Sequence, residues 1–142
     1  MLFRSGLVRD HAVGGVTLFA RNLESAEHVR EFSDELRGLS RDWPLWVAID
    51  QEGGRVARLR SPFTEWPPMA ALGRSGDLSL ARQFASALAA ELTAVGVTLD
   101  FAPVLDVMTN EANPVIGDRA FSADAERVAD LDRKSTRLNS SH

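Results

Sequence analysis

Two short apolar runs start 30 residues apart with a helical period between them, and no other feature constrains the fold of this chain as tightly. Gly15-Val16-Thr17-Leu18-Phe19 and Leu45-Trp46-Val47-Ala48-Ile49 read as strands, the second with the continuous apolar character of a buried parallel strand. Between them Val29, Phe32, Leu36 and Leu39 fall at i, i+3, i+7 and i+10, which places them on one face of a helix. Ser25 is the expected N-cap, Glu24 and Glu27 lie near the positive end of the helix dipole, and Gly38 stands where the helix would close. A strand, a crossover helix and a second strand at this spacing form a β-α-β unit, so the two strands are expected to be parallel.

The alternation continues. After a Gly-, Pro- and Arg-rich stretch over residues 51–76, Asp77 caps a helix carrying Ala81, Phe84, Leu88, Leu92 and Val95 on one face, and Gly96 ends it. Residues 97–106 read as a third strand running into a loop, with regular pairing expected to stop near Pro103, which has no N–H for a ladder. A last helix is predicted from Ser122, with Val128 and Leu131 facing inward. The fold class is therefore α/β, with about three parallel strands, flanking helices and function expected at the carboxyl ends of the strands. Three strands close no (β/α)8 barrel, which takes roughly 250 residues, so the sheet is either small and open or part of a larger one. The apolar pattern stops after Leu131. Residues 132–142 are expected to be a disordered polar tail or, since Arg133-Lys134-Ser135-Thr136-Arg137-Leu138-Asn139-Ser140-Ser141-His142 resembles a translated sequencing adapter, foreign to the gene.

Composition removes several classes of function. The chain has 142 residues and no cysteine, which excludes disulfides, thiolate metal sites, cysteine nucleophiles and iron–sulfur clusters from this stretch. Sixteen Lys and Arg against 20 Asp and Glu leave a net charge of −4 without a basic run, so no nucleic-acid partner is expected. No window approaches the ~18 apolar residues of a membrane span, and charge interrupts the first ten residues before a signal-type run develops, so a soluble protein is expected.

The segment Asp50-Gln51-Glu52-Gly53-Gly54-Arg55-Val56-Ala57-Arg58 follows the second strand directly. A carboxylate at a strand end accepts two hydroxyls at once, the glycines allow a tight turn, and the arginines supply forked donors; together they suit a hydroxyl-rich ligand. The plainer alternative is a turn closed by an Asp–Arg ion pair. The spacing fits neither phosphate-binding glycine motif. Asp100 and Asp106 flank the end of the third strand, and residues 113–122 form a second loop; with Asp50 and Glu52 they offer an oxygen-ligand cation site as a lesser alternative, and neither metal nor cofactor is expected. His11 and His28 belong to no metal or triad pattern, and His28 is expected at the surface of its helix. Trp43, Trp46 and Trp66 are expected to pack rather than to form sugar platforms, with Trp66 able to do either.

These residues also carry a resemblance. Gly14-Gly15-Val16-Thr17-Leu18-Phe19-Ala20-Arg21-Asn22, the Asp50 segment with Ala48, Ile49 and Leu59 around it, Pro67-Pro68-Met69, Asp100-Phe101-Ala102-Pro103-Val104-Leu105-Asp106-Val107 and Val115-Ile116-Gly117-Asp118-Arg119-Ala120-Phe121-Ser122 resemble, in order, the motifs of family-3 glycoside hydrolases, nearest to the bacterial β-N-acetylhexosaminidase branch. The resemblance implies that residues 1–131 are a fragment of the family's amino-terminal (β/α)8 TIM-barrel domain. It further implies a retaining, cofactor-free hydrolase removing terminal N-acetylglucosamine, in the cytoplasm, from cell-wall muropeptides in peptidoglycan recycling. By the same resemblance Asp50, Arg58 and Arg119 bind the terminal sugar. The family's Asp nucleophile and its His acid/base, in a Lys-His-Phe-Pro-Gly-His-Gly type motif, have no counterpart in these 142 residues, so the chain alone is expected to be a truncated and inactive fragment. The alternative from another class is a non-catalytic sugar-binding α/β module.

Overall fold

A computed structural model describes residues 6, 8, 10, 11, 13–39 and 43–136. The two apolar runs form β1 (Gly15–Leu18) and β2 (Trp46–Ile49), paired in parallel with Val16 opposite Val47 and Leu18 opposite Ile49. The third strand, β3 (Leu99–Asp100), lies on the other side of β2, so the sheet order is β1-β2-β3. It is far shorter than the 97–106 reading, and regular pairing stops at Asp100, short of Pro103. Phe101 N–H still donates to the Ile49 carbonyl at 2.9 Å; beyond it the chain leaves the sheet toward the second loop.

Helix α1 (Ala26–Leu39) makes the crossover, and its cap is the expected one: Ser25 Oγ accepts the His28 N–H at 3.1 Å. Its inner face differs from the apolar reading at one position, because Ser33 is fully buried while Phe32 is half-buried. Gly96, at φ +80°, turns the chain so close that a Cβ there would lie 2.8 Å from Ser33 Cβ, and only a small side chain fits beneath that turn. His28 is half-buried rather than on the surface, with its ring parallel to that of Phe32, four residues on, at 6.0 Å.

After the long loop come α2 (Met69–Ser75) and α3 (Leu78–Ala94), the latter capped by the Asp77 carboxylate, which accepts from the N–H groups of Ser79 and Leu80. Ala81, Phe84, Leu88, Leu92 and Val95 are all buried, as the period requires, and join Val47, Ile49 and Val29 in one core. Helix α4 (Ala125–Thr136) packs on α3 with Val128 and Leu131 buried. Its cap is Asp124, whose Oδ1 accepts from the N–H groups of Glu126 and Arg127; Ser122 stands two residues earlier, and its hydroxyl accepts the Asp124 N–H instead of capping the helix. The helix continues through Thr136, so the backbone of residues 132–136, expected in the tail, is helical; a formed helix extends by one hydrogen bond per added residue without an apolar contact. The rest of the expected tail lies outside the described residues.

Side chains alternate across the sheet. Val47 and Ile49 face the helices, whereas Trp46 and Leu99 share the opposite face and are 56% and 37% exposed. Trp46 and Trp43 are exposed rather than buried as expected, whereas Trp66 packs edge-on to Phe84 at 5.0 Å.

Candidate functional site

Both sheet-end loops lie at the carboxyl edge of the parallel strands, where a ligand meets backbone and side chains not used in the ladder. Asp50 follows β2 directly, and its Oδ2 accepts from Arg58 Nη2 at 2.7 Å. Both side chains are about a quarter exposed, so the pair faces outward at the rim. Arg58 also lies over the Phe19 ring, 5.8 Å from its centroid, which ties β1's end to the same site.

Gln51 holds the loop in shape from inside. Buried, it accepts from the N–H groups of Arg58 and Leu59 through Oε1, at 2.7 and 2.9 Å, and donates from Nε2 to the Leu59 carbonyl at 2.8 Å. Gly53 and Gly54 both have positive φ; a Cβ at Gly53 would stand 2.6 Å from the Pro67 carbonyl oxygen, so the Pro67-Pro68 segment closes against bare backbone here. That segment is anchored in turn to α3, where Glu91 accepts from Thr64 N, Thr64 Oγ1 and Trp66 Nε1. Trp66, which the sequence left open between packing and a sugar platform, does make a packing contact, edge-on to Phe84.

Glu52 is the residue whose role sequence reasoning missed. Its side chain is 5% exposed and forked with Arg119, both contacts at 2.8 Å, from Nε to Oε2 and from Nη2 to Oε1. This hydrogen-bonded pairing holds the Arg119 guanidinium above its ordinary pKa, and Asp106 and Asp50 add to the effect through space. Glu52 was legible only as a carboxylate beside Asp50, because its partner lies 67 residues away. The structure thus brings Asp50 and Arg58 into direct contact, and sets Arg119 in the same electrostatic neighbourhood through Glu52.

The cation alternative finds no support in geometry: among the described residues no three His, Asp or Glu side chains are disposed around a metal position, and Asp50 and Glu52 each engage an arginine. Asp100 does something else. Its Oδ1 accepts the Gln51 N–H at 2.9 Å, joining the end of β3 to the loop after β2. Burial pushes its carboxyl from 3.8 up to about 7, against the Gln51 hydrogen bond and with help from Asp50 and Glu52. The folded protein therefore retains a proton that the unfolded chain releases, and this contribution to stability is lost as pH rises through that window. Asp100→Asn keeps an acceptor for Gln51, so its stability relative to the parent is expected to increase from about pH 4 to about pH 7 and to level off above. Thermal melts of both proteins across this range check the sign, and parallel curves would refute it.

Parallel strands with helices on one face, and carboxylate–arginine pairs at their carboxyl ends, define an α/β domain of the barrel type with a polar, charged rim. Residues 4–137 match the glycosyl hydrolase family 3 N terminal domain, and the chain belongs to that family. It is 52% identical over 125 residues to a beta-hexosaminidase of Nitrosomonas eutropha, covering 84% of this chain and 35% of that protein, and 48% identical over 131 residues to one from Thioalkalivibrio sulfidiphilus, covering 88% and 37%. The chain spans about a third of the length of the curated relatives it matches. Among solved structures, native NagZ from Neisseria gonorrhoeae superposes with a TM-score of 0.89 at 36% identity, over 96% of this chain and 41% of that one. A family 3 beta-N-acetylglucosaminidase from Paenibacillus gives the same TM-score at 40% identity, over 94% and 26%. The three strands and their helices are thus a portion of the family's TIM-barrel domain.

Proposed function

We propose that these residues form the amino-terminal part of the catalytic barrel of a retaining β-N-acetylhexosaminidase that removes terminal N-acetylglucosamine, from cell-wall muropeptides recycled in the cytoplasm. The observation that carries this reading is the pairing of Asp50 with Arg58 and of Glu52 with Arg119 at the carboxyl edge of a parallel sheet, in a chain about half identical to beta-hexosaminidases. The structure of the Neisseria NagZ in complex with N-trifluoroacetyl-D-glucosamine supports an N-acylated glucosamine as the sugar class.

In this reading Asp50 orients the sugar and is not the nucleophile. Arg58 occupies its Oδ2, and the remaining lone pairs accept sugar hydroxyls. Arg58 and Arg119 add charge-assisted donors, so binding energy fixes the ring for attack on its anomeric carbon. In the retaining scheme a carboxylate forms the glycosyl-enzyme, while an acid/base first protonates the leaving oxygen and then activates water. Both groups are supplied by parts of the barrel outside this sequence, and the 142-residue chain alone does not turn over substrate.

In the full-length hydrolase, Asp50→Asn, Arg58→Ala and Arg119→Ala are each expected to lower kcat/KM by roughly ten- to a hundredfold, since a hydrogen bond to a charged group contributes about 1.5–3 kcal/mol. The assay is release of a chromogenic N-acetyl-β-glucosaminide, with folding confirmed by circular dichroism. If all three folded variants keep both kinetic constants, the loop is a turn closed by an ion pair and not a sugar subsite. Turnover by the 142-residue chain, purified from a host lacking hexosaminidase, would place the nucleophile within it.

A further inference from the structure

Arg55 shares a loop with Asp50 and Arg58 but directs its hydrogen bonds to the second loop. Its Nη1 donates to the Pro114 carbonyl at 2.7 Å, its Nη2 to those of Val115 and Ile116 at 2.7 and 3.1 Å, and its Nε stands 3.2 Å from Asp118 Oδ1. Every acceptor belongs to the turn immediately before Arg119. The turn bends around the guanidinium: Gly117 has φ +47°, and a Cβ there would lie 3.3 Å from Arg55 Nη2.

The return contact closes a loop of dependence. Arg119 reaches back to Glu52, three residues before Arg55, and its Nη1 donates at 3.0 Å to the same Val115 carbonyl that Arg55 Nη2 holds. Two loops separated by about 60 residues thus exchange arginines, and the two guanidinium groups meet on one oxygen. Five donors in a rigid plane reach four acceptors along a turn; a lysine ammonium, a single point with three donors, does not span them.

We propose that Arg55 is a positioning residue of the sugar site, which holds the 114–118 turn and thereby sets the direction in which Arg119 offers its remaining donors. This rests on the reading of Arg119 as a sugar-binding residue and adds a residue that acts only through it. Without Arg55 the turn keeps its local hydrogen bonds from Val115 and Ile116 N–H to Asn113 Oδ1. Arg119 would then have to hold the turn and the ligand together, and the added ordering would fall on binding.

Two measurements test this. In the full-length protein, NMR exchange of the Arg119 Nε–H is expected to accelerate about tenfold in Arg55→Ala and in Arg55→Lys, with little change in melting temperature because Arg55 is exposed. In the full-length hydrolase, either substitution is expected to raise KM and weaken inhibition by N-acetylglucosamine about tenfold with a much smaller change in kcat, and to add almost nothing in an Arg119→Ala background. Unchanged exchange and affinity in folded Arg55 variants, or full additivity with Arg119→Ala, overturns the proposal. If the parent hydrolase neither binds N-acetylglucosamine nor cleaves its β-glycosides while Arg119 exchange still responds to Arg55, the sugar reading fails and the positioning of Arg119 by Arg55 stands.

Discussion

Glu52→Ala is expected to destabilise the chain by about 3–5 kcal/mol, the range found when one member of a buried ion pair is removed. The Glu52 side chain is 5% exposed and that of Arg119 is 23% exposed, so deleting the carboxylate strands two guanidinium donors at a position with limited access to water. Glu52→Gln retains shape and one acceptor but not the charge, and is expected to lose less. Pairing Glu52→Leu with Arg119→Met removes both charges and should recover most of the loss, because an apolar pair needs no compensation for desolvation. Urea denaturation of the four proteins measures these differences. A Glu52→Ala variant as stable as its parent would mean that the fork with Arg119 does not hold the loops together.

Gly73→Ala is expected to be as damaging, at or beyond about 3 kcal/mol, although it adds a single methyl group to a helix. The helical rule alone predicts the opposite sign, since alanine is favoured over glycine in a helix by about 1 kcal/mol. Tertiary packing decides the outcome: a Cβ at Gly73 would lie 1.5 Å from the Phe121 carbonyl oxygen and 2.6 Å from its carbon. Both obstacles are backbone, so no side-chain rotation relieves the overlap, and α2 has to move off the segment that follows Arg119. Gly38→Ala in α1 is the internal comparison. Nothing lies within 4 Å of a Cβ there, so a slight gain in stability is expected. Opposite signs for the two substitutions in urea denaturation would confirm that Gly73 is a packing position. Equal signs would show that α2 does not approach Phe121 this closely.

Local patterns carried much of this protein. Asp77 has a short side chain with an acceptor oxygen just before an apolar period, and it caps α3 for that reason. The 30-residue repeat and the continuous apolar run at residues 45–49 implied parallel strands before any pairing was visible, and Asp50 at the end of that run marked the site. These features are legible because backbone geometry imposes them over a few residues, through caps, periods of 3.6 and buried strands.

What only the tertiary structure decided are relations without a local period. Ser33 is buried in place of a larger residue because a turn 63 positions later passes over it. Trp46 is exposed because the helices cover the face of Val47 and Ile49, a choice that alternation along one strand does not make. The site shows the same division. Asp50 and Arg58 lie eight residues apart and could be paired by inspection, whereas the Glu52–Arg119 and Arg55–Val115 contacts join segments about 60 residues apart. Which arginine meets which carboxylate depends on the paths of two irregular loops, and those paths are set by close backbone approaches at Gly53 and Gly73, and by the Arg55 guanidinium against Gly117, that exist only once the chain has folded.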